Sequence, residues 1–94
     1  MVQSEAVQDY VKQIYLLQVQ SGRATTNLLA ERMDVSAAAA TAMVKKLADM
    51  GLVEHRPYYG ARLTDAGERI AVEVVRHHRL LELYLTEATG AGPS

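Results

Sequence analysis

The sequence predicts a single, mainly α-helical domain with a small β-hairpin, and three observations carry this prediction. Apolar residues recur at helical spacing along most of the 94 residues. A Pro-Tyr-Tyr-Gly turn at 57–60 separates two short extended runs, which is typical of a hairpin. The chain has no cysteine and is 49% hydrophobic. The fold must therefore rest on an apolar core, because a disulfide scaffold and a thiolate zinc site are both excluded.

Three helices are predicted before the hairpin, over residues 4–20, about 27–33 and 36–50. The first places its apolar residues on one arc, and the opposite face carries Asp9, Lys12, Gln13 and Leu16. Residues that commonly cap helices stand at the expected ends: Ser4 and Ser21-Gly22 for the first, Thr25 or Thr26 for the second, and Ser36 and Gly51 for the third. These local signals set the order of the elements.

A last helix follows the hairpin and is unusually long for so small a domain. Thr64 is its predicted N-cap, and Asp65 and Glu68 in the first turn suit the positive end of the helix dipole. The pattern continues without a break to about Thr89. A helix of this length extends beyond the core that it helps to form.

The order helix, helix, turn, helix, hairpin is that of a winged helix–turn–helix followed by a long dimerisation-type helix. Residues 1–63 are the predicted DNA-binding domain, and residues 64–94 form a helix that leads towards a dimerisation domain. Ala30 is small where two helices of the motif must approach closely, and Val35 is predicted to plug the turn. Ala40, Met43, Val44 and Leu47 share the inward face of the third helix.

The outward face of the third helix and the wing supply the predicted contacts to double-stranded DNA. Alanine methyl groups can enter a major groove closely, and lysines further along the helix suit phosphates. The predicted contacts are Thr26, Asn27, Ser36, Ala38, Ala39, Thr41, Ala42, Lys45, Lys46, Arg56, Tyr58 and Arg62. The alternative is that the alanines are present only as good helix formers and the lysines only form a solvent-exposed face. The domain would then be a winged helix that binds only protein. Residues 23–62 hold six Lys and Arg against four acidic residues, between two acidic ends.

Four stretches in order, "DYVKQIYLL", "LAERMDVSAAAATAMVKKLADMGLV", "LTDAG" and "VVRHHRLLELYL", resemble the diphtheria-toxin-repressor family, which includes the manganese transport regulators. The resemblance runs from about Ser4 to Glu87. It implies a dimeric repressor of metal-uptake genes that is activated by a divalent metal and binds a palindromic operator. The family's metal ligands come from the first helix, the long fourth helix and a following dimerisation domain.

The resemblance also implies a set of metal ligands in this chain: Asp9, His78 and Glu82. Their carboxylate and imidazole groups suit Mn(II) or Fe(II). Lys12 is a departure, because it stands where similar manganese regulators often carry a second carboxylate ligand. Without the resemblance, His78 and Glu82 are one helical turn apart and equally fit a surface ion pair. His77 is expected to be structural.

The ligands present in this chain do not make a complete metal site, because two or three ligands do not close one. Either the rest of the site and the homodimer interface lie in a domain beyond Ser94, or the chain is a short family member that has lost metal control. A metal-independent winged-helix module that binds DNA or protein is the alternative.

An enzyme is not expected, since the chain lacks paired carboxylates in a cleft and a Gly-rich phosphate loop. With no signal peptide or long apolar run, the expected location is the cytoplasm and no membrane partner is expected.

Overall fold

The computed structural model describes residues 4–57 and 60–89 and has the element order that the sequence predicts. Four helices and one antiparallel hairpin follow one another: α1 (Glu5–Ser21), α2 (Thr26–Met33), α3 (Ala37–Asp49), β1 (Val53–Arg56), β2 (Gly60–Leu63) and α4 (Asp65–Thr89). The winged helix–turn–helix with a long final helix is therefore confirmed. Among the described residues, no helix combines the length and the apolar character needed to cross a membrane.

The helix ends are set by the residues that the sequence marks as caps. The hydroxyl of Ser4 accepts from the Val7 N–H at 3.3 Å, and that of Thr64 accepts from the Gly67 N–H at 3.2 Å. Thr25 rather than Thr26 caps α2, since its hydroxyl accepts from the Leu28 N–H at 3.2 Å. Glycines in the left-handed conformation follow α1 and α3, with φ of 74° at Gly22 and 76° at Gly51.

Helix α1 lies at the centre of the domain, packed against α2, α4 and β2. Its predicted apolar arc is buried, as Val7, Tyr10, Val11, Ile14 and Leu17. The face expected to be opposite the core is covered as well: Asp9, Lys12, Gln13 and Leu16 are all half-buried. Both faces of α1 are thus at least partly covered, because this helix contacts α2, α4 and β2.

The turn between α2 and α3 is closed by the backbone rather than by an apolar plug. Asp34 adopts the left-handed conformation with φ of 56°, and the Val35 N–H donates to the Ala30 carbonyl at 3.0 Å. The Val35 side chain is 38% exposed, which corrects the prediction that it fills the turn. Ala30 is buried where α2 meets its neighbours, as predicted, and so are Ala40, Val44 and Leu47 on the inward face of α3.

Strand β2 of the hairpin is joined to two other parts of the chain. The Leu63 N–H donates to the side-chain carbonyl of Gln18 in α1 at 2.7 Å. The Ala61 N–H donates to the Ala24 carbonyl at 2.9 Å, in the connection between α1 and α2. Gly60 has φ of 78°, and a Cβ there would collide with the backbone of Ala24, so this position requires glycine. The wing is therefore anchored through both ends of β2.

Helix α4 divides into a packed first half and an exposed second half. Gly67, Ala71 and Val74 face the core, and Ile70 is half-buried beside them. From residue 80 onwards, large apolar side chains lie between 45% and 67% exposed: Leu80, Leu81, Leu83, Tyr84 and Leu85. In the described part of the chain, the second half of α4 thus exposes an apolar surface.

Candidate nucleic-acid interface and metal site

The exposed face of α3 is the largest group of predicted DNA contacts that the fold displays together. The opposite face of α3 is buried. The exposed residues are Ser36, Ala38, Ala39, Thr41, Ala42, Lys45 and Lys46. Residues 37–46 contain no acidic side chain. The first half of this face is therefore small and neutral, and the second half is cationic. A helix of this kind can approach a groove closely and place its positive charges near phosphates.

Two hydroxyls on this face make hydrogen bonds within the helix. The Ser36 Oγ accepts from the Ala39 N–H at 3.1 Å, so its proton is available to an acceptor such as a phosphate oxygen. The Thr41 Oγ1 donates to the Ala37 carbonyl at 2.9 Å, which leaves its lone pairs and methyl group facing outwards. Ser36 is thus arranged to donate to a ligand, and Thr41 to accept from one.

Helix α2 and the wing contribute the remaining predicted contacts. Asn27 is exposed and Thr26 half-buried in the first turn of α2. Arg56 and Arg62 are exposed on β1 and β2, and Arg56 pairs with Glu54 at 3.0 Å. Tyr58 lies outside the described residues. The wing therefore presents two arginines, one of which already has an anionic partner.

The predicted metal ligands belong to α1 and α4, two helices that pack against each other. His78 is half-buried on the same face of α4 as Ala71 and Val74, and Asp9 is half-buried on α1. Lys12 is one turn after Asp9, and its Nζ lies 3.2 Å from the His78 Nδ1. Glu82 is exposed one turn after His78. The fold thus packs α1 against α4, and across this contact the side chain hydrogen-bonded to His78 is a lysine.

The donor chemistry fits a divalent cation in part. Two carboxylates and an imidazole are the group types that Mn(II) and Fe(II) accept in proteins. Within residues 4–57 and 60–89, however, no three His, Cys, Asp or Glu side chains are grouped closely enough to hold a metal ion. Asp9, His78 and Glu82 would therefore hold a metal only together with further ligands, as the sequence already indicates.

Two hydrogen bonds, one at the candidate metal site and one at the wing, were not predicted from the sequence. The Lys12–His78 hydrogen bond joins residues 66 positions apart, so nothing in the local pattern announces it. The Gln18–Leu63 hydrogen bond joins α1 to the wing. A signal existed for the second contact, because Gln18 is a polar residue within the apolar arc of α1 and would need a partner there.

Comparison with known proteins agrees with this arrangement. Residues 3–61 match the family "Iron dependent repressor, N-terminal DNA binding domain", and residues 64–94 match "Iron dependent repressor, metal binding and dimerisation domain". The HTH-type transcriptional regulator MntR of Lysinibacillus sphaericus is 36% identical over 80 residues, which cover 85% of this chain and 58% of that protein. The chain thus spans little more than half of this relative.

Two solved structures share the fold over nearly the whole chain. A manganese-dependent transcriptional repressor in complex with manganese is 42% identical, with a TM-score of 0.80, over 92% of this chain and 39% of that one. The zinc-bound crystal structure of ScaR is 34% identical, with a TM-score of 0.78, over 92% of this chain and 40% of that one. One of these similar proteins therefore holds manganese and the other zinc.

Proposed function

Because the chain belongs to the iron-dependent repressor family, we propose that it binds operator DNA as part of a metal-dependent transcriptional repressor of metal-uptake genes. The observation that carries this proposal is the exposed face of α3, small at its start and cationic at Lys45 and Lys46, beside a wing with two exposed arginines. On this proposal, residues 1–63 read DNA, residues 64–94 connect them to the rest of a cytoplasmic regulator, and no catalysis is involved.

Docking of α3 in the major groove accounts for the pattern of side chains along it. The alanines and Thr41 would meet base edges, where methyl groups contact thymine methyls. Lys45 and Lys46 would lie beside the phosphate backbone, and the Ser36 hydroxyl would donate to a phosphate oxygen. Arg56 and Arg62, with Tyr58 at the wing, would contact a neighbouring stretch of backbone or the minor groove. Thr26 and Asn27 at the start of α2 would contact phosphate.

We propose a homodimer that binds a palindromic operator. The exposed apolar side chains between Leu80 and Leu85 support this proposal, because a monomer gains nothing by leaving so many in water. Two copies would place their α3 helices in successive major grooves, about 34 Å apart on one side of the duplex. Metal that joins α1, α4 and the dimerisation domain would fix this distance.

The proposed metal is Mn(II) or Fe(II), with Asp9, His78 and Glu82 as this chain's share of the ligands. When bound, the metal supplies a link between helices rather than a reaction. Asp9 would couple α1 to the metal, and His78 and Glu82 would hold it on α4. The oxygen and imidazole donors support a hard or borderline metal, and Asp9 favours manganese.

Selection of binding sites from a random duplex pool tests the whole proposal. The protein is incubated with the pool in MnCl2, in Fe(II) under anaerobic conditions, or with a chelator. We expect an inverted repeat to be enriched with metal and not with chelator. Equal enrichment in all three would instead support a metal-independent winged-helix module, and no enrichment would contradict DNA recognition.

Binding of protein variants to the selected DNA site tests which residues contact phosphate. Lys45→Gln and Lys46→Gln should each reduce the slope of log affinity against log salt by about 0.9, the amount expected for one lost phosphate contact. Arg69→Gln on the exposed surface of α4 removes the same charge elsewhere and should leave the slope unchanged. Equal effects of all three variants would contradict the placement of α3 on DNA.

A further inference from the structure

The Lys12–His78 contact is a specific hydrogen bond between two helices. The Nζ of Lys12 in α1 lies 3.2 Å from the Nδ1 of His78 in α4. Both residues are half-buried, and α1 and α4 both contribute to the core, through Val11 and Ile14 on α1 and Ala71 on α4. The lysine is therefore held beside the imidazole by the fold.

The chemistry of the two groups fixes the direction of this hydrogen bond. A lysine ammonium has three donors and no acceptor, so the Nδ1 of His78 must accept. The imidazole is then neutral, and its remaining proton is on Nε2. Neither ring nitrogen has a lone pair open for coordination in this arrangement: the Nδ1 lone pair points to Lys12, and Nε2 carries hydrogen.

A metal ion that binds His78 must therefore break the contact with Lys12. Coordination through Nδ1 needs the same lone pair that the ammonium occupies. Coordination through Nε2 moves the proton to Nδ1, where two donors would then face each other. In either case the divalent ion also meets a positive charge at short range, which opposes its binding.

We propose that Lys12 is an internal cation that takes the place of a metal ion at His78, ties α1 to α4 in the metal-free protein and competes with metal for the imidazole. This proposal rests on the proposed metal site. It adds a residue, Lys12, that controls how readily metal occupies the site. Lys12 does not bind the metal; it sets the concentration at which His78 becomes available. The metal-free helices remain joined through this contact until the ion displaces the ammonium.

The tautomer of His78 tests the contact without any metal. Long-range ¹⁵N–¹H correlation spectra distinguish the protonated from the unprotonated ring nitrogen. In the metal-free chain we expect Nε2 protonated and Nδ1 unprotonated and hydrogen-bonded. Lys12→Met should remove this preference, and Lys12→Arg should retain it. A wild-type His78 with its proton on Nδ1 would overturn the proposal whatever the protein does with metal.

Manganese binding tests the competition. The electron paramagnetic resonance signal of free Mn(II) gives the dissociation constant at one pH for the protein and its variants, each prepared with the domain that is proposed to supply the remaining ligands. Lys12→Met should bind Mn(II) about tenfold more tightly than wild type, as expected from removing one hydrogen bond and one adjacent like charge. Lys12→Gln, which keeps a polar side chain, should change affinity in the same direction, and Lys12→Arg should remain close to wild type.

Two further variants separate failure of this proposal from failure of the metal site. Arg69→Met removes a positive charge on the exposed surface of α4 and should not change Mn(II) affinity, so it controls for net charge. His78→Ala should weaken binding. If His78→Ala weakens binding but neither Lys12→Met nor Lys12→Gln tightens it, the competition is wrong and the metal site stands. If His78→Ala has no effect, the proposed metal site itself is wrong.

Discussion

The backbone carbonyl of Leu52 occupies the space in which a side chain on Gly67 would begin. The same carbonyl accepts from the Thr64 N–H at 3.0 Å, so it is held in place at the start of α4. The long helix thus begins in direct backbone contact with the residue that precedes β1. The sequence shows this only as one glycine in the first turn of a helix.

Gly67→Ala is expected to destabilise the domain, although alanine is the better residue at most helical positions. The added methyl group forces the Leu52 backbone away and should lower the free energy of unfolding by about 1–3 kcal/mol. Urea denaturation followed by circular dichroism measures the change. Ala66→Gly is the control at the exposed neighbouring position. It should lower the free energy of unfolding by about 1 kcal/mol, the difference in helix propensity between alanine and glycine. A more stable Gly67→Ala protein would refute the close approach.

Gln18→Leu is expected to lower the free energy of unfolding by about 1–3 kcal/mol, because it leaves the Leu63 N–H without its acceptor. The amide of Leu63 should also exchange faster with deuterated solvent. Gln20→Leu is the matched control: it removes the exposed acceptor of an Arg32 hydrogen bond and should change stability by less than about 0.5 kcal/mol. Equal costs for the two variants would mean that Gln18 does not hold the wing.

Two substitutions of Ser36 separate its cap from its proposed phosphate contact. Ser36→Ala removes the acceptor for the Ala39 N–H and should lower the free energy of unfolding by about 1 kcal/mol. Ser36→Asp keeps a capping oxygen and should preserve stability, yet its negative charge should weaken binding to any DNA duplex. Thermal unfolding and fluorescence anisotropy measure the two effects. Unchanged DNA affinity in Ser36→Asp would place Ser36 away from the phosphates.

Glu54→Gln is expected to strengthen DNA binding without changing stability. The Arg56–Glu54 pair is more than half exposed on both sides, so its loss should alter the free energy of unfolding by less than about 1 kcal/mol. The released Arg56 can then contact phosphate, and a negative charge leaves the wing. Anisotropy titrations at several salt concentrations should show tighter binding and a steeper salt dependence. Glu73→Gln on α4 removes the same charge at another exposed position, and an equal gain there would mean that the wing is not involved.

The helix ends and the element order were predictable because their signals are local. Ser4, Thr64 and Ser36 cap helices in the structure as the sequence indicates, and Gly51 ends α3. Each of these contacts joins atoms within about one turn of chain, where side-chain chemistry alone decides the outcome.

The packing around α1 was not predictable, because it depends on several elements at once. An amphipathic pattern predicts which face is most buried, but not that neighbours also half-cover Asp9 and Lys12. Val35 was predicted to plug the turn between α2 and α3, whereas the backbone closes this turn. The Lys12–His78 contact depends on the relative position of two helices, which no residue near either end specifies.

The hydrogen bonds that join the wing to the rest of the domain start from main-chain N–H groups of β2. They run from the N–H groups of Ala61 and Leu63 to one carbonyl and one glutamine, and none involves the exposed side chains of Glu54, Arg56 or Arg62. Those three positions can change independently of the framework that carries them. A different target preference can thus evolve, or be engineered, by substituting the outer surface of the hairpin while the domain retains its stability.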